Sequence, residues 1–283
     1  MTYSYQLTKH PVGSKREVLA LSWPLMLGLI SSALMMFTDR LLLSHFDPFA
    51  LNAAASGGIA YYMFLVIPMG IVAISEVLVG RLHGENIHSE IGSATWQMVW
   101  FGVLLTPIFW LAGSFLPSIL FYGTGNEINE AVYFKTLMYF APAQCATIAL
   151  SGFFIGTGNV KIVTYSALVG NVVNIVLDYI LIFGWGPFPI WGVFGAAVAT
   201  GISQVVQVGF LLVFFLKPHV RKKYQTFKIQ FNSEYFYEGF RIGYPAGLGH
   251  CVEIIAHFLF FRIIMSVGSE QMTLVAMIQS FYI

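Results

Sequence analysis

The chain has 283 residues, of which 57% are hydrophobic and 10% charged, and its net charge is +1. Soluble domains carry about 25% charged residues, so this composition cannot build a water-facing surface and lipid must be the main solvent. The mean hydropathy of +0.75 agrees, and a charge so close to zero speaks against a nucleic-acid partner.

A helix needs about 20 apolar residues to cross a bilayer. The pattern predicts crossings over residues 18–44, 50–80, 92–118, 128–151, 161–184, 192–216 and 236–265, with an eighth starting near 270. Turn-forming clusters separate them: Asp47-Pro48, His83-Gly84-Glu85-Asn86, Gly123-Thr124-Gly125-Asn126, Gly156-Thr157-Gly158-Asn159 and Gly184-Trp185-Gly186-Pro187. Runs such as Phe210-Leu211-Leu212-Val213-Phe214-Phe215-Leu216 lack the alternation of a membrane β-barrel. The fold class is therefore all-α, a polytopic transmembrane helical bundle. Cys145 and Cys251 sit alone in apolar runs and read as small hydrophobes, not as a metal or redox motif.

Lys and Arg in short loops set the orientation. The N-terminal arm carries Lys9, Lys15 and Arg16, the second loop Arg81, and the fourth Lys161. The sixth loop carries Lys217, Arg221, Lys222, Lys223 and Lys228. Near the other side only Arg40, Lys135 and Arg262 occur, each within or beside a span end where it can snorkel. The expected topology is multi-pass in the plasma (inner) membrane with the N-terminus cytoplasmic.

After the basic stretch the sequence restarts. Trp23-Pro24 and Gly28 recur as Tyr244-Pro245 and Gly249 at one common offset. Six spans lie between the two starts, which implies parallel repeats about an axis along the membrane normal. The expected organisation is a cytoplasmic arm (1–17), a six-helix N-terminal lobe (18–216), a cytoplasmic basic linker (217–235) and the start of a C-terminal lobe (236–283). A complete second half would bring the total to roughly 440 residues by the same repeat logic, so the chain reads as truncated in its second lobe.

Ionisable groups inside a span cost at least about 2.5 kcal/mol each and mark functional positions. Asp39 in the first span and Asp178 in the fifth lie at similar depth, roughly 10 Å below the outer edge. On the fifth span Ser166, Gly170, Asn174 and Asp178 form one polar stripe at helical spacing, as do Gly192, Ala196, Thr200, Ser203 and Gln207 on the sixth and Gly28, Ser32, Met35 and Asp39 on the first. Such stripes serve either close helix packing or a polar site. Two carboxylates, an amide oxygen and a hydroxyl supply the hard ligands Na⁺ prefers. The same pair could instead hold a proton, because close like charges resist ionising together. Glu253, flanked on one helical face by His250 and His257, reads as a substrate or proton site, since its spacing is not that of a zinc motif. Pro24 and Pro245 are positioned to bend the first helix of each repeat. Tyr61, Tyr62, Met63, Tyr139 and Phe140 are candidate cavity linings.

Three stretches resemble the multidrug and toxic compound extrusion (MATE) family. They are Trp23-Pro24 to Phe46 with Asp39, the run from Leu150 to Thr200, and Tyr244-Pro245 to Glu253. The central run contains Gly156-Thr157-Gly158-Asn159 and Gly170-Asn171-Val172-Val173-Asn174-Ile175-Val176-Leu177-Asp178-Tyr179. The resemblance implies two six-helix lobes around a cavity, and antiport in which Na⁺ or H⁺ enters while an organic cation leaves. It implies cation ligands at Asp39, Asn174, Asp178 and Thr200, and a functional acid at Glu253. It also implies no cofactor beyond the coupling ion, no metal site and a monomer in full-length form, with the bilayer and small organic cations as partners. The alternatives are a flippase for lipid-linked sugar precursors and a non-transporting membrane fragment. No nucleophile–base constellation falls within a span, so the chain does not read as an enzyme.

Overall fold

The computed structural model describes residues 10–11 and 14–282, with side chains through residue 278. Most of the expected N-terminal arm lies outside the described residues. Eleven helices account for the secondary structure among the described residues, which include no strand: α1 (Lys15–Phe46), α2 (Pro48–Gly84), α3 (His88–Leu104), α4 (Thr106–Phe115), α5 (Pro117–Leu120), α6 (Glu127–Gly156), α7 (Val160–Phe183), α8 (Val193–Phe215), α9 (Pro218–Tyr224), α10 (Ser233–Val267) and α11 (Ser269–Tyr282). Seven helical segments are long and apolar enough to cross a membrane, with α3 and α4 counted together as one. They fall on the first seven expected crossings. α11 has 14 described residues, short of the length a crossing needs.

Local chemistry sets the helix ends. The Ser14 side chain accepts from the Glu17 N–H at 3.2 Å and caps α1. Asp47 ends α1 in extended backbone and caps α2 through the Phe49 N–H at 3.2 Å, with Pro48 in the first turn where no N–H is needed. Gly184 closes α7 in the left-handed region at φ 70°, and both its own N–H and that of Trp185 bond to the Ile180 carbonyl. The expected third crossing, 92–118, is interrupted. Pro107 has no N–H to continue the ladder, so the chain breaks at Leu105 and restarts as α4.

Small residues then determine which helices meet. α2 is the central helix and packs along both α6 and α10. A Cβ added at Gly152 or Gly156 of α6 would come within 2.6–2.9 Å of α2 atoms between Ser75 and Gly80. On α10, Gly239, Gly243 and Gly247 recur every four residues and are all buried. A Cβ at Gly243 would lie 2.4 Å from the Cα of Ile71, and one at Gly247 2.8 Å from the Cα of Ile67. The absence of side chains here lets the α2 and α10 backbones approach, the packing mode that membrane helices favour.

Residues after α9 are anchored and do not form a loose connection. Thr226 is fully buried, and its carbonyl accepts from Trp96 Nε1 at 2.8 Å. Gln97 reaches the Gln230 carbonyl at 3.1 Å and accepts from the Asn232 N–H at 3.0 Å. At the same end Arg81 of α2 forms a two-pronged ion pair with Glu238 of α10, and Lys228 lies 3.6 Å from Glu90.

The glycine seam makes a direct prediction. Gly243→Leu should destabilise the protein by about 1–3 kcal/mol through overpacking against α2. Gly249→Leu, on the same helix with nothing within 4 Å of its Cβ direction, should be close to neutral. Thermal unfolding of the two variants in detergent measures the difference.

Candidate functional site

α7 lies between α1 and α8, and its polar side chains are shared between the two. Toward α1, Thr164 Oγ1 donates to the Pro24 carbonyl at 2.7 Å and Asn171 Nδ2 donates to Ser31 Oγ at 2.6 Å. Toward α8, Ser166 Oγ donates to the Gln207 carbonyl at 3.3 Å, Gly170 lets the Gln207 side chain approach, and Asn174 Nδ2 donates to Thr200 Oγ1 at 3.4 Å. The α7 and α8 stripes are therefore one seam. The part nearer the start of α7 is packing, and the part nearer its end carries polar groups with acceptor capacity to spare.

Those groups are concentrated. Asp178 is completely buried and Asp39 nearly so; the charge of Asp39 acts on Asp178, and that of Arg40 acts on Asp39. Both oxygens of Asp178, Oδ1 of Asp39 and Oδ1 of Asn174 are buried without a hydrogen-bond donor. Asn174 spends its donor on Thr200, which leaves its carbonyl oxygen as an acceptor. Four such oxygens from two helices form an acceptor-rich site that suits a hard monovalent cation or a proton, because either supplies the positive partner that buried acceptors need. Asp39, Asn174, Asp178 and Thr200 were expected from the sequence as one cation site; in the structure Asn174 bonds to Thr200 and the charge of Asp39 acts on Asp178.

Beside them is a cavity of about 690 Å³. Ser32, Met35 and Asp39 of the α1 stripe line it, as do Asn174 and Thr200. Asp178 does not; it sits behind the wall. Of the expected aromatic lining, Tyr61 and Tyr62 are present, whereas Met63, Tyr139 and Phe140 are elsewhere. Phe140 packs against Gly201, and Tyr139 packs against Trp110. Among the lining residues not singled out from the sequence are Tyr133, Leu137 and Gln204. The Tyr61 hydroxyl lies beside Gln204 without a hydrogen bond of good geometry.

The model of the MatE family matches residues 24–180, more than half of the chain. The chain belongs to the MatE family. A probable multidrug resistance protein NorM from Thermotoga maritima is 26% identical over 266 residues, covering 90% of this chain and 56% of that protein. Probable multidrug resistance protein YoeA from Bacillus subtilis is 27% identical over 206 residues, 70% of this chain and 44% of that one. Among solved structures, an inward-facing multidrug resistance MATE family transporter of the MOP superfamily superposes with a TM-score of 0.76 at 22% identity, covering 92% of this chain and 60% of that chain. The chain spans about half the length of the curated relatives it matches.

Other singled-out positions in this MatE chain fall outside the site. Glu253 is on the exposed face of α10, 3.9 Å from His250, and is not in the cavity wall. Its neighbours Ile254 and His257 are the α10 residues that line the cavity. Pro24 and Pro245 lie inside the continuous helices α1 and α10, as Pro68 and Pro142 do inside α2 and α6.

A further acid, Glu130, is fully buried in the first turn of α6. Unlike Asp178 it is satisfied: the hydroxyls of Ser56 and Thr124 donate to its two oxygens. From the sequence an acid in a first turn reads as a partner of the helix dipole, which hides its burial. The contrast makes a prediction. Ion binding to the folded state raises its stability, so Na⁺ or acid should raise the melting temperature of the wild type. Asp178→Asn should abolish that response. Glu130→Ala should lower stability by about 1–3 kcal/mol by orphaning two hydroxyls, yet keep the response.

Proposed function

We propose that this chain carries the ion-coupling half of a secondary antiporter that exports organic cations in exchange for Na⁺ or H⁺. What carries the reading is the position of Asp39: one carboxylate shared between a cluster of buried acceptor oxygens and the wall of a cavity large enough for a drug-sized molecule. A cation joining Asp39 and Asp178 removes the penalty of burying their charge, and so favours one packing of α1 against α7 over another. The same event takes from the cavity the negative charge that attracts a cationic cargo. Binding of ion and cargo thereby compete, the linkage an exchanger needs. The membrane potential supplies about 2.3 kcal/mol per charge per 100 mV.

In this reading residues 18–216 form the first lobe, 217–235 are the cytoplasmic linker and 236–283 begin the second lobe. The N-terminus and the basic segment face the cytoplasm of an inner membrane. Arg81, Lys217, Lys222, Lys223 and Lys228 clustered about one end of the bundle support that orientation. Pro24 and Pro245 are the points where α1 and α10 flex.

The test is efflux of a fluorescent cationic dye from cells expressing the complete gene, with an imposed Na⁺ or pH gradient. Asp39→Asn and Asp178→Asn should each reduce gradient-driven efflux to the level of cells lacking the gene, at normal membrane abundance. Full efflux by either variant would remove the coupling role.

A further inference from the structure

The segment that joins α9 to α10 is held against α3 by its backbone and presents apolar side chains outward. Gly92 lets it approach: a Cβ there would come within 2.6–2.8 Å of the Tyr224 and Gln225 carbonyl oxygens and the Thr226 Cα. Trp96 Nε1 donates to the Thr226 carbonyl at 2.8 Å, Gln97 Nε2 to that of Gln230 at 3.1 Å and Trp100 Nε1 to that of Ile229 at 3.2 Å. With its carbonyls engaged by α3, the segment exposes Phe227 (58%), Ile229 (39%) and Phe231 (58%), which fall at every second position. The basic residues of α9 adjoin this ridge. Arg221, Lys222 and Lys223 are exposed and in no ion pair among the described residues. The Arg221 guanidinium lies 4.2 Å from the centre of the Phe227 ring.

The height of this segment along α3 gives the pattern a meaning. The crossing His88–Phe115 has 28 residues, about 42 Å of helix against about 30 Å of hydrocarbon. His88, Ser89, Glu90, Ser93 and Gln97 concentrate its polar side chains at the start. The excess of about 12 Å therefore lies at that end and puts Trp96 near the edge of the hydrocarbon, the level that Trp favours. Phe227, Ile229 and Phe231 are then where headgroups meet acyl chains, with three cations beside them. Of the other nearby cations, Lys228 is paired with Glu90 at 3.6 Å and Arg81 with Glu238. The bias of loop charge that sets topology accounts for the basic residues alone. It does not call for apolar side chains held out in a row by a backbone that is tied down. A free anion would use the cations and leave the apolar row without a role. A lipid with an anionic headgroup uses both: its phosphate meets the cations while the rings enter among the chains.

We infer that residues 221–231 form an anchor for anionic phospholipid, in which Arg221, Lys222 and Lys223 take the headgroup phosphates and Phe227, Ile229 and Phe231 insert beside the acyl chains. The inference goes beyond the transport reading and holds whichever ion or cargo is exchanged.

A ligand of the folded state raises the melting temperature. The test is thermal unfolding of the purified product of the complete gene in neutral detergent, titrated with dioleoylphosphatidylglycerol or dioleoylphosphatidylcholine at physiological ionic strength. Phosphatidylglycerol should reach half its full effect at a concentration at least about tenfold lower, since each basic residue near an anionic surface contributes about fivefold. Arg221→Gln, Lys222→Gln and Lys223→Gln together, all at exposed positions, should leave melting without lipid unchanged and bring the two lipids level. Phe227→Ser with Phe231→Ser should weaken both lipids several-fold and keep the preference. Glycerol phosphate, the anion without chains, should have no effect at the same concentrations. Equal action of the two lipids on the wild type, or a preference that the triple variant retains, overturns the anchor. Undiminished affinity in the double Phe variant overturns the insertion of the ridge, and protection by glycerol phosphate as strong as that by the lipid overturns the bilayer as the partner.

Discussion

Two buried carboxylates interact electrostatically while three of their four oxygens are buried without a hydrogen-bond donor, and the packing of α1 against α7 has to accommodate them. Leaving an ionised group in a protein interior costs several kcal/mol unless it is paired. Asp178 is wholly buried and accepts no hydrogen bond, and the charge of Asp39 acts on it. Other buried polar groups of this chain are treated differently: Glu130 has Ser56 and Thr124, and Asn52 exchanges hydrogen bonds with Thr273 at 3.0 and 3.2 Å. The fold can complete an acid's hydrogen bonding, and at Asp178 it does not. In the proposed antiport, a small cation that meets this requirement makes ion binding a term in helix packing.

How that term can become motion depends on which helices are held. α2 is gripped along its length by glycine seams to α6 and α10 and tied at both ends. Arg81 meets Glu238 at one end, and Asn52 meets Ser269 and Thr273 at the other. α1 is attached differently. It packs chiefly on α7, through a few polar contacts, while Leu29, which lines the cavity, is 71% exposed and Leu34 59%. The α2–α6–α10 frame therefore faces a helix whose seating on α7 includes the buried carboxylates Asp39 and Asp178. Asp39 is on the less extensively packed helix and Asp178 on the seam, a division through which ion binding shifts a population in the proposed antiport.

Much of this was legible in the sequence, because the bilayer writes its requirements in composition. Span positions follow from apolar length and turn residues, and the seven segments long enough to cross lie where expected. The α1, α7 and α8 stripes were visible because a 3.6-residue period is a local property. What they faced was not. Ser166 and Gly170 proved to be packing against Gln207, whereas Asn174 and Asp178, on the same stripe, ended in the polar cluster. Glu253 illustrates the reverse limit: its place in mid-helix suggested an inward site, yet the Gly239–Gly243–Gly247 seam orients α10 so that His257 reaches the cavity and Glu253 does not. Tyr133 and Gln204 carried no signal, since each becomes notable only through neighbours from other helices. The break at Leu105 follows from Pro107 and was readable in retrospect.

The central claim is that Asp39 and Asp178 act as one unit, and vibrational spectroscopy tests it without reference to cargo. Difference infrared spectra of the purified protein, recorded on adding Na⁺ or acid, report buried carboxyl groups individually once Asp39→Asn and Asp178→Asn assign the bands. The account predicts that each substitution removes its own band and shifts the other, since the two acids share one positive partner. If Asp178→Asn leaves the response of Asp39 unchanged, the acids titrate independently and the coupling site does not exist as described.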